Sequence, residues 1–412
     1  MMERRVTGWL LGGALVAAPA LAGAQELTVW DWKSGDPVTA NYYAAAKAAF
    51  EAAHEGATVN FVVQPTDQYY TLLGTALSSG SGPDVMLLHG GAQATSRAEA
   101  LAPLTSMAQG FAGLADFTAG DEAIALPLTI QGFVVYYNRA LYEAAGLDPE
   151  APPRTWEELQ AVCEAFKAQG DAPCFAMGNK EGLGGDFFLS ALAADLFTPE
   201  EQAAMTAGDL PWTDPKMRAI AEAWVQTAQD GWYAEGANST AKFMDEYEQF
   251  MRGEAGNTIG LLSDVAHWKQ FEEFLGPESL GVYLHPAPGT ADLRLPVAGG
   301  IGYAVNGAGA HVDLATDLVE ILSAPEQAAI FAVDTGALPA NTAVDTAALD
   351  SPTLSTILGW MGGETAPLAH SVMAPTVMEE WHRQSQLLLT GETSVDDALA
   401  RMEDVRLQAG AQ

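Results

Sequence analysis

Ile124–Asn138 reads IALPLTIQGFVVYYN. Val134, Val135, Tyr136 and Tyr137 are β-branched or aromatic and suit an extended strand. Pro127 excludes helix at its own position and biases the residues just before it toward extended geometry. Gln131-Gly132 sets a polar side chain and a flexible backbone inside an otherwise apolar run. The stretch therefore reads as a connection. One lobe ends near Pro127, a second begins near Phe133, and Gln131 faces whatever lies between them.

Working outward, both flanks alternate strand and helix. Upstream, Leu27–Trp32, Thr58–Val63 and Asp84–Leu88 read as strands, separated by helices over Thr39–His54 and Asp67–Leu77. In the first helix Tyr43, Ala46, Phe50 and Ala53 share one face. This order predicts a largely parallel α/β sheet, and ligands on such sheets gather at the carboxyl ends of the strands. Downstream, Thr155–Gln169 is a helix with a Thr155/Glu158 capping box and a Gly170 stop. Cys174–Met177 is a short strand, followed by a glycine-rich loop that holds Asp186. Met217–Trp232 and Phe243–Arg252 are helical, and Asn257–Leu262 and Ile301–Val305 are strands. Helices follow at Leu314–Leu322 and Glu326–Val333. Leu284–Pro288 and Gly336–Asn341 look like further extended connections, and the chain ends in helices, the last capped by Ser394 and Asp397. There is no repeat and no low-complexity segment.

The 412 residues are 49% hydrophobic and 9% aromatic, enough for two lobes with their own cores. Residues 1–24 read as a secretory leader: basic Arg4-Arg5, an apolar Trp9–Leu21 and small Ala22-Gly23-Ala24, with Gln25 as the first mature residue. No cysteine stands at the cleavage point, so lipid attachment is not expected. The rest of the chain carries 16 basic and 52 acidic side chains, a net charge of −36. That balance excludes sequence-independent binding to nucleic acid or to an anionic membrane. The acidic residues are spread along the chain and read as a solvated surface. Export makes a Cys163–Cys174 disulfide feasible, and two small buried thiols are the alternative. No spacing resembles a metal or cofactor motif, and GxSxG, HExxH and phosphate-loop signatures are absent, which argues against an enzyme.

The order of motifs carries a resemblance. SGSGPDVMLLHG, IALPLTIQGFVVYYNRALYEAAGL, PPRTWEELQAVCEAFKAQG, FMRGEAGNTIGLLSD, GGIGYAVNGAG, APEQAAIF and GALPAN occur in sequence. Together they resemble the extracellular solute-binding proteins of ABC importers, in the sugar-binding group that includes the maltose-binding protein. The resemblance covers nearly all of the chain after the leader. It implies an α/β, two-lobed periplasmic-binding-protein fold of type II character, with three interlobe crossing segments and a ligand cleft between the lobes. By this likeness residues 25–127 and 289–335 form the first lobe, and 128–288 and 336–412 the second. It further implies a periplasmic monomer that captures a small saccharide, closes by hinge motion and delivers its ligand to the transmembrane subunits of an ABC permease, with no cofactor.

Candidate ligand contacts follow from strand ends and from the resemblance. Saccharides offer apolar C–H faces that stack on aromatic rings, and hydroxyls that need fixed donors and acceptors. Trp30, Trp32, Tyr70, Trp268, Trp360 and Trp381 are the aromatic candidates. Asp31, Lys33, His89, Gln131, Asn179, Asp186 and Asp264 are the polar ones, and Gly300 borders the strand at Ile301. In the related group a carboxylate stands at the position of Gln131, and other acids and aromatics of the maltose site are not matched. Maltose itself is therefore not expected. The competing reading keeps the fold and places a polyamine or other cation among Trp, Asp31, Asp67 and Asp264; polyols and sugar acids are further options.

Overall fold

The computed structural model describes residues 25–66, 68–262, 267–349, 351–363 and 365–410. The expected leader, Asp67 and Asp264 lie outside the described residues. The chain opens with β1 (Gln25–Asp31), α1 (Ala40–Ala53), β2 (Ala57–Val63), α2 (Tyr69–Ser78) and β3 (Val85–His89). β1 lies parallel between β2 and β3, because each intervening helix carries the chain back before the next strand. α1 buries Tyr42, Tyr43, Ala46 and Phe50, while Ala53 at its end is exposed.

The short α3 (Ala92–Thr95) and a hairpin of β4 (Thr118–Ala119) and β5 (Glu122–Ala123) lead into the decisive stretch. β6 (Leu126–Pro127) belongs to the first sheet, and β7 (Thr129–Asn138) is the central strand of a second. Only Leu128 separates them. The hand-over therefore falls at the proline end of the stretch, earlier than Phe133.

The second lobe begins with α4 (Arg139–Ala144), N-capped by Asn138, and α5 (Trp156–Gln169), with its capping box and with Gly170 in the left-handed region. Cys163 and Cys174 are disulfide-bonded, tying α5 to the segment after it. That segment makes only isolated bridges from Phe175 to Tyr233 and Asn257, so it is extended without forming a full strand. α6 (Leu183–Leu196) stands where a glycine-rich loop was expected. A Cβ on Gly184 would lie 2.6 Å from Met177 Sδ, and one on Gly185 would lie 2.6 Å from Ser385 Cβ. The glycines thus serve close packing, and the Ala, Leu and Phe around them make a helix buried on nearly every side. α7 (Pro199–Thr206), α8 (Pro215–Gln229), a π-helical turn at Lys242–Glu246 and α9 (Tyr247–Met251) follow.

β8 (Asn257–Leu261), α10 (His267–Leu275) and β9 (Leu280–Tyr283) come next, with both strands antiparallel to β7. β10 (Leu295–Gly299) is also antiparallel to β7, and β11 (Ile301–Val305) completes the first sheet in the order β2-β1-β3-β11-β6. The second passage between lobes is therefore β10, not Leu284–Pro288. Leu295 and Ala298 are buried in the second lobe's cores, so 289–299 sides with that lobe and the first lobe resumes at Gly300. Pro296 concealed this strand, since proline argues against an interior strand. α11 (Val312–Leu322) and α12 (Pro325–Thr335) pack against the first lobe, and β12 (Leu338–Pro339) returns antiparallel beside Ile130 and Thr129. The chain ends with α13 (Pro352–Met361), β13 (Thr365–Pro367), parallel to β10, and helices α14 (Ala369–Val372), α15 (Pro375–Thr390) and α16 (Val395–Ala409). Only the β2-β1-β3 part of the first sheet has the expected parallel order. β11, β6 and the strands beside β7 run antiparallel, because the crossing segments re-enter each sheet from the opposite side. Among the described residues no helix is long and apolar enough to cross a membrane.

Candidate functional site

The first wall of the cleft is made at the carboxyl ends of β1 and β3. Alternation sends Asp31 away from it. Asp31 is fully buried, and its Oδ1 accepts from the Lys33 amide at 2.6 Å, the Ser34 amide at 2.5 Å and the Tyr43 hydroxyl at 3.4 Å. Burial raises its carboxyl above the ordinary value despite those donors. Asp31 thus shapes the loop that presents Trp32 and Lys33, and the expectation of a direct ligand contact is not met. Trp30 lies on the opposite strand face, partly buried beside the cluster of Tyr69, Leu73 and Phe117, and its carbonyl accepts from the Tyr69 hydroxyl.

Trp32 stacks on His89, with centroids 4.6 Å apart and planes 20° from parallel, and meets the edge of Tyr69 at 4.7 Å. Of the two tyrosines of α2, Tyr69 is core and Tyr70 reaches the strand end. The Tyr70 hydroxyl accepts from the His89 backbone N–H at 2.9 Å and lies 2.7 Å from His89 Nδ1. One hydroxyl thus ties the His89 backbone to its own ring. The Arg97 guanidinium carbon sits 4.6 Å from the centre of the Tyr70 ring.

The floor is the bundle of crossing strands. Gln131 is partly buried on β7, opposite Ala298 of β10. Two glycines let the crossings touch. A Cβ on Gly132 would lie 2.8 Å from Pro296 O, and one on Gly300 would lie 2.4 Å from Thr129 Oγ1. Gly300 is therefore a packing residue beside Gln131.

The second wall comes from α6, α14 and α15. Asp186, buried in the first turn of α6, lies 2.7 Å from His382 Nε2, and its Oδ1 has no hydrogen-bond partner among the described residues. Burial raises the Asp186 carboxyl. Burial alone would lower His382, but the hydrogen bond and charge of Asp186 outweigh it and hold the imidazole above its ordinary value. His370, at the start of α14, repeats the His89 pattern. Its backbone N–H donates to Ser190 Oγ at 3.2 Å, the same oxygen lies 2.9 Å from its Nδ1, and Nε2 lies 3.2 Å from Ser371 Oγ. The ring stacks on Phe133 at 5.3 Å, and Phe133 stacks on Phe187 at 3.9 Å. Burial, then the charges of His382 and His89, push His370 down to about 3. Phe243, 44% exposed, lies 6.1 Å from Phe187 on the π-helical turn.

Asn179, Trp268 and Trp381, three of the remaining expected contacts, are buried in the second lobe. Asn179 is fully buried, accepting from the Gly185 amide at 3.0 Å and donating to Asn238 Oδ1 at 3.0 Å, so it anchors the start of α6. Trp268 is buried and donates from Nε1 to Gly336 O at 2.9 Å, bracing the third crossing. Trp360 is partly buried against the core around Leu354 and Ile357. Trp381 is fully buried with Trp212 at 5.3 Å. The helical period of α15 explains this: Val377, Met378, Trp381, Gln384, Ser385 and Leu388 form the buried face, and His382 stands one step round it. That periodicity was legible in MEEWHRQ and would have selected His382 over its neighbour. His370 has no local sequence signal. Among the described residues no group of three or more His, Cys, Asp or Glu side chains could hold a metal ion.

The whole architecture recurs in known proteins. It superposes on a chitin oligosaccharide binding protein with a TM-score of 0.82 at 21% identity, covering 94% of this chain and 100% of that one. In sequence it is 23% identical over 401 residues to the maltodextrin-binding protein MdxE of Bacillus subtilis, 92% of this chain and 89% of that protein. A binding protein of Brucella abortus is 30% identical over 181 residues, 41% of this chain and 43% of that protein, so the match takes in less than half of that relative. The family model of the bacterial extracellular solute-binding proteins matches residues 34–329, and the chain belongs to that family.

Proposed function

We propose that the protein captures a small neutral saccharide, of one to three units, in the cleft between its lobes and delivers it to the transmembrane subunits of an ABC permease. The observation that carries this reading is the Trp32–His89–Tyr70 platform on one wall, with the Asp186–His382 pair on the other and Gln131 on the floor between them. A stacked aromatic face suits the C–H side of a sugar ring, and fixed imidazole and amide groups suit its hydroxyls. The names of the chitin oligosaccharide and maltodextrin relatives support the same class. The cation reading loses Asp31, which is turned into the loop, while Asp186 is engaged by His382. We place the protein in the periplasm as a monomer after removal of residues 1–24, without a lipid anchor and without catalytic activity. Its lobes are 25–127 with 300–335, and 128–299 with 336–412.

A thermal-shift screen of neutral mono- to trisaccharides, sugar acids, polyols and spermidine tests the reading. A ligand that binds only the folded state at about a hundred times its Kd adds about 2.7 kcal/mol of stability. Neutral saccharides are expected to raise Tm. Stabilisation by spermidine alone overturns the assignment.

A further inference from the structure

Trp32 stands in a short loop, residues 32–36, whose backbone is held on both sides. Three donors converge on Asp31 Oδ1: the Lys33 amide at 2.6 Å, the Ser34 amide at 2.5 Å and the Tyr43 hydroxyl at 3.4 Å. The Tyr43 oxygen in turn accepts from the Tyr303 hydroxyl at 3.1 Å. From the other side, the Thr39 hydroxyl donates to Lys33 O at 2.7 Å and to Asp36 O at 3.0 Å. Asp31, Thr39 and Tyr303 are fully buried, and Tyr43 is nearly so.

Local rules place each group. Alternation along β1 turns Asp31 to the same face as Leu27 and Val29, toward α1. Tyr43 belongs to the buried face of α1 with Ala46 and Phe50, and its ring meets Phe61 edge on at 4.8 Å. Tyr303 is central in β11, paired with Leu87 of β3 and Leu126 of β6. Burial requires that each of these hydroxyls find a partner, but not that they run in series to one carboxylate. Of the three donors on Oδ1, two are amides of the loop itself and move with it. Tyr43 is the one that ties the carboxylate to the body of the lobe, and Tyr303 holds the Tyr43 oxygen from behind.

We propose that Tyr43, backed by Tyr303, is a positioning residue of the first wall: by holding the Asp31 carboxylate it fixes the Lys33 and Ser34 amides, and so sets the Trp32 ring in its stacked place before any ligand arrives. Both tyrosines are too buried to meet a ligand themselves. The consequence for affinity rests on the saccharide-capture reading; the setting of Trp32 does not. A ring ordered in advance has no further ordering cost on binding, so freeing it should weaken binding about three- to tenfold.

Fluorine NMR of protein labelled with fluorotryptophan reads the Trp32 ring without ligand, its signal assigned by loss in Trp32→Phe. Tyr43→Phe is expected to shift and broaden the Trp32 resonance, while that of Trp224, buried in the other lobe, stays in place. Tyr303→Phe should give the same change at smaller amplitude. Asp31→Asn keeps an accepting oxygen and should leave Trp32 near its wild-type position, whereas Asp31→Ala should displace it. Tyr142→Phe removes a buried hydroxyl of the second lobe, which donates to Asn257 Oδ1 at 2.8 Å, and should lower Tm without moving Trp32. With chitobiose and maltotriose as calorimetric probes, Tyr43→Phe should show the three- to tenfold loss and Tyr142→Phe none. An unchanged Trp32 resonance in folded Tyr43→Phe overturns the proposal, as does an equal displacement in Tyr142→Phe. If Tyr43→Phe does not fold, an unmoved Trp32 in Tyr303→Phe and in Asp31→Ala overturns it instead. A Trp32 that moves as expected, in a protein that no neutral saccharide stabilises, sinks the capture reading and leaves the positioning role standing.

Discussion

The two walls of the cleft are built by different means. The first is the end of a parallel sheet: Trp32, Tyr70 and His89 come from residues 32–89 and are placed by two adjacent strands and the helix between them. The second is assembled across nearly two hundred residues, with Asp186 and Ser190 on α6 meeting His370 on α14 and His382 on α15. The first wall is local and partly exposed. The second depends on buried polar groups that must be paired to be tolerated. Its disruption should therefore cost stability, whereas disruption of the first should cost mainly binding.

The largest effect is expected at the base of the second wall. Lys242 and Glu246 form a fully buried pair 2.6 Å apart on the π-helical turn, with Thr258 and the Gly178 amide donating to the carboxylate. Lys242→Met should destabilise by about 3–5 kcal/mol in urea unfolding, and adding Glu246→Leu should recover most of the loss. A single variant within 1 kcal/mol of wild type would erase the contrast between the walls. Trp381→Ala should cost about 3–5 kcal/mol of stability. Trp32→Ala, partly exposed on the other wall, should cost less stability but weaken saccharide binding at least about tenfold, or about 1.4 kcal/mol by calorimetry. Gln131→Ala, on the floor between them, should weaken binding by about 1–3 kcal/mol if its amide meets the ligand, and unchanged affinity would remove it from the site.

A subtler difference is set by pH. Asp195, at the end of α6, accepts from the Arg294 amide through one oxygen, and burial pushes it up to about 7. Its folded pKa lies above the unfolded value of about 3.9. Its contribution is therefore fully present below that unfolded value and is lost as pH rises through about 7. Asp195→Asn should flatten this decline in Tm between about pH 4 and about pH 7, and an unchanged profile would exclude Asp195 as its source. His285, buried against Trp156, Phe175 and Phe188, acts in the opposite direction. Burial lowers it to about 4, so wild-type stability should fall as pH drops from about 6.5 through that value.

The legible part of the molecule is the part whose physics is local. Capping at Thr155 and Glu158, the β-rich run at Phe133–Tyr137 and the strand at Ile301–Val305 were all readable, because caps and periodicity act within a few residues. The strand at Leu295–Gly299 was hidden by Pro296, and the helix at Leu183–Leu196 by glycines that exist for close contact with Met177 and Ser385. Among the candidate residues, Trp32, Tyr70 and His89 lie side by side, whereas Trp381 is core and His382, one step round the same helix, was not named because the helix phase was not applied.

Hydrophobic periodicity and turn chemistry, which are properties of short segments, thus indicated alternating strands and helices, and the order of motifs carried the resemblance that implied two lobes with crossing strands. They also identified Ile124–Asn138 as the place where one lobe passes to the next. Only the tertiary structure decided which side of β1 faces the gap, where the chain crosses for the second time, and that His370 and His382 stand opposite His89. Those facts depend on contacts between residues far apart in sequence, where burial and the pairing of polar groups, rather than local propensity, determine the outcome.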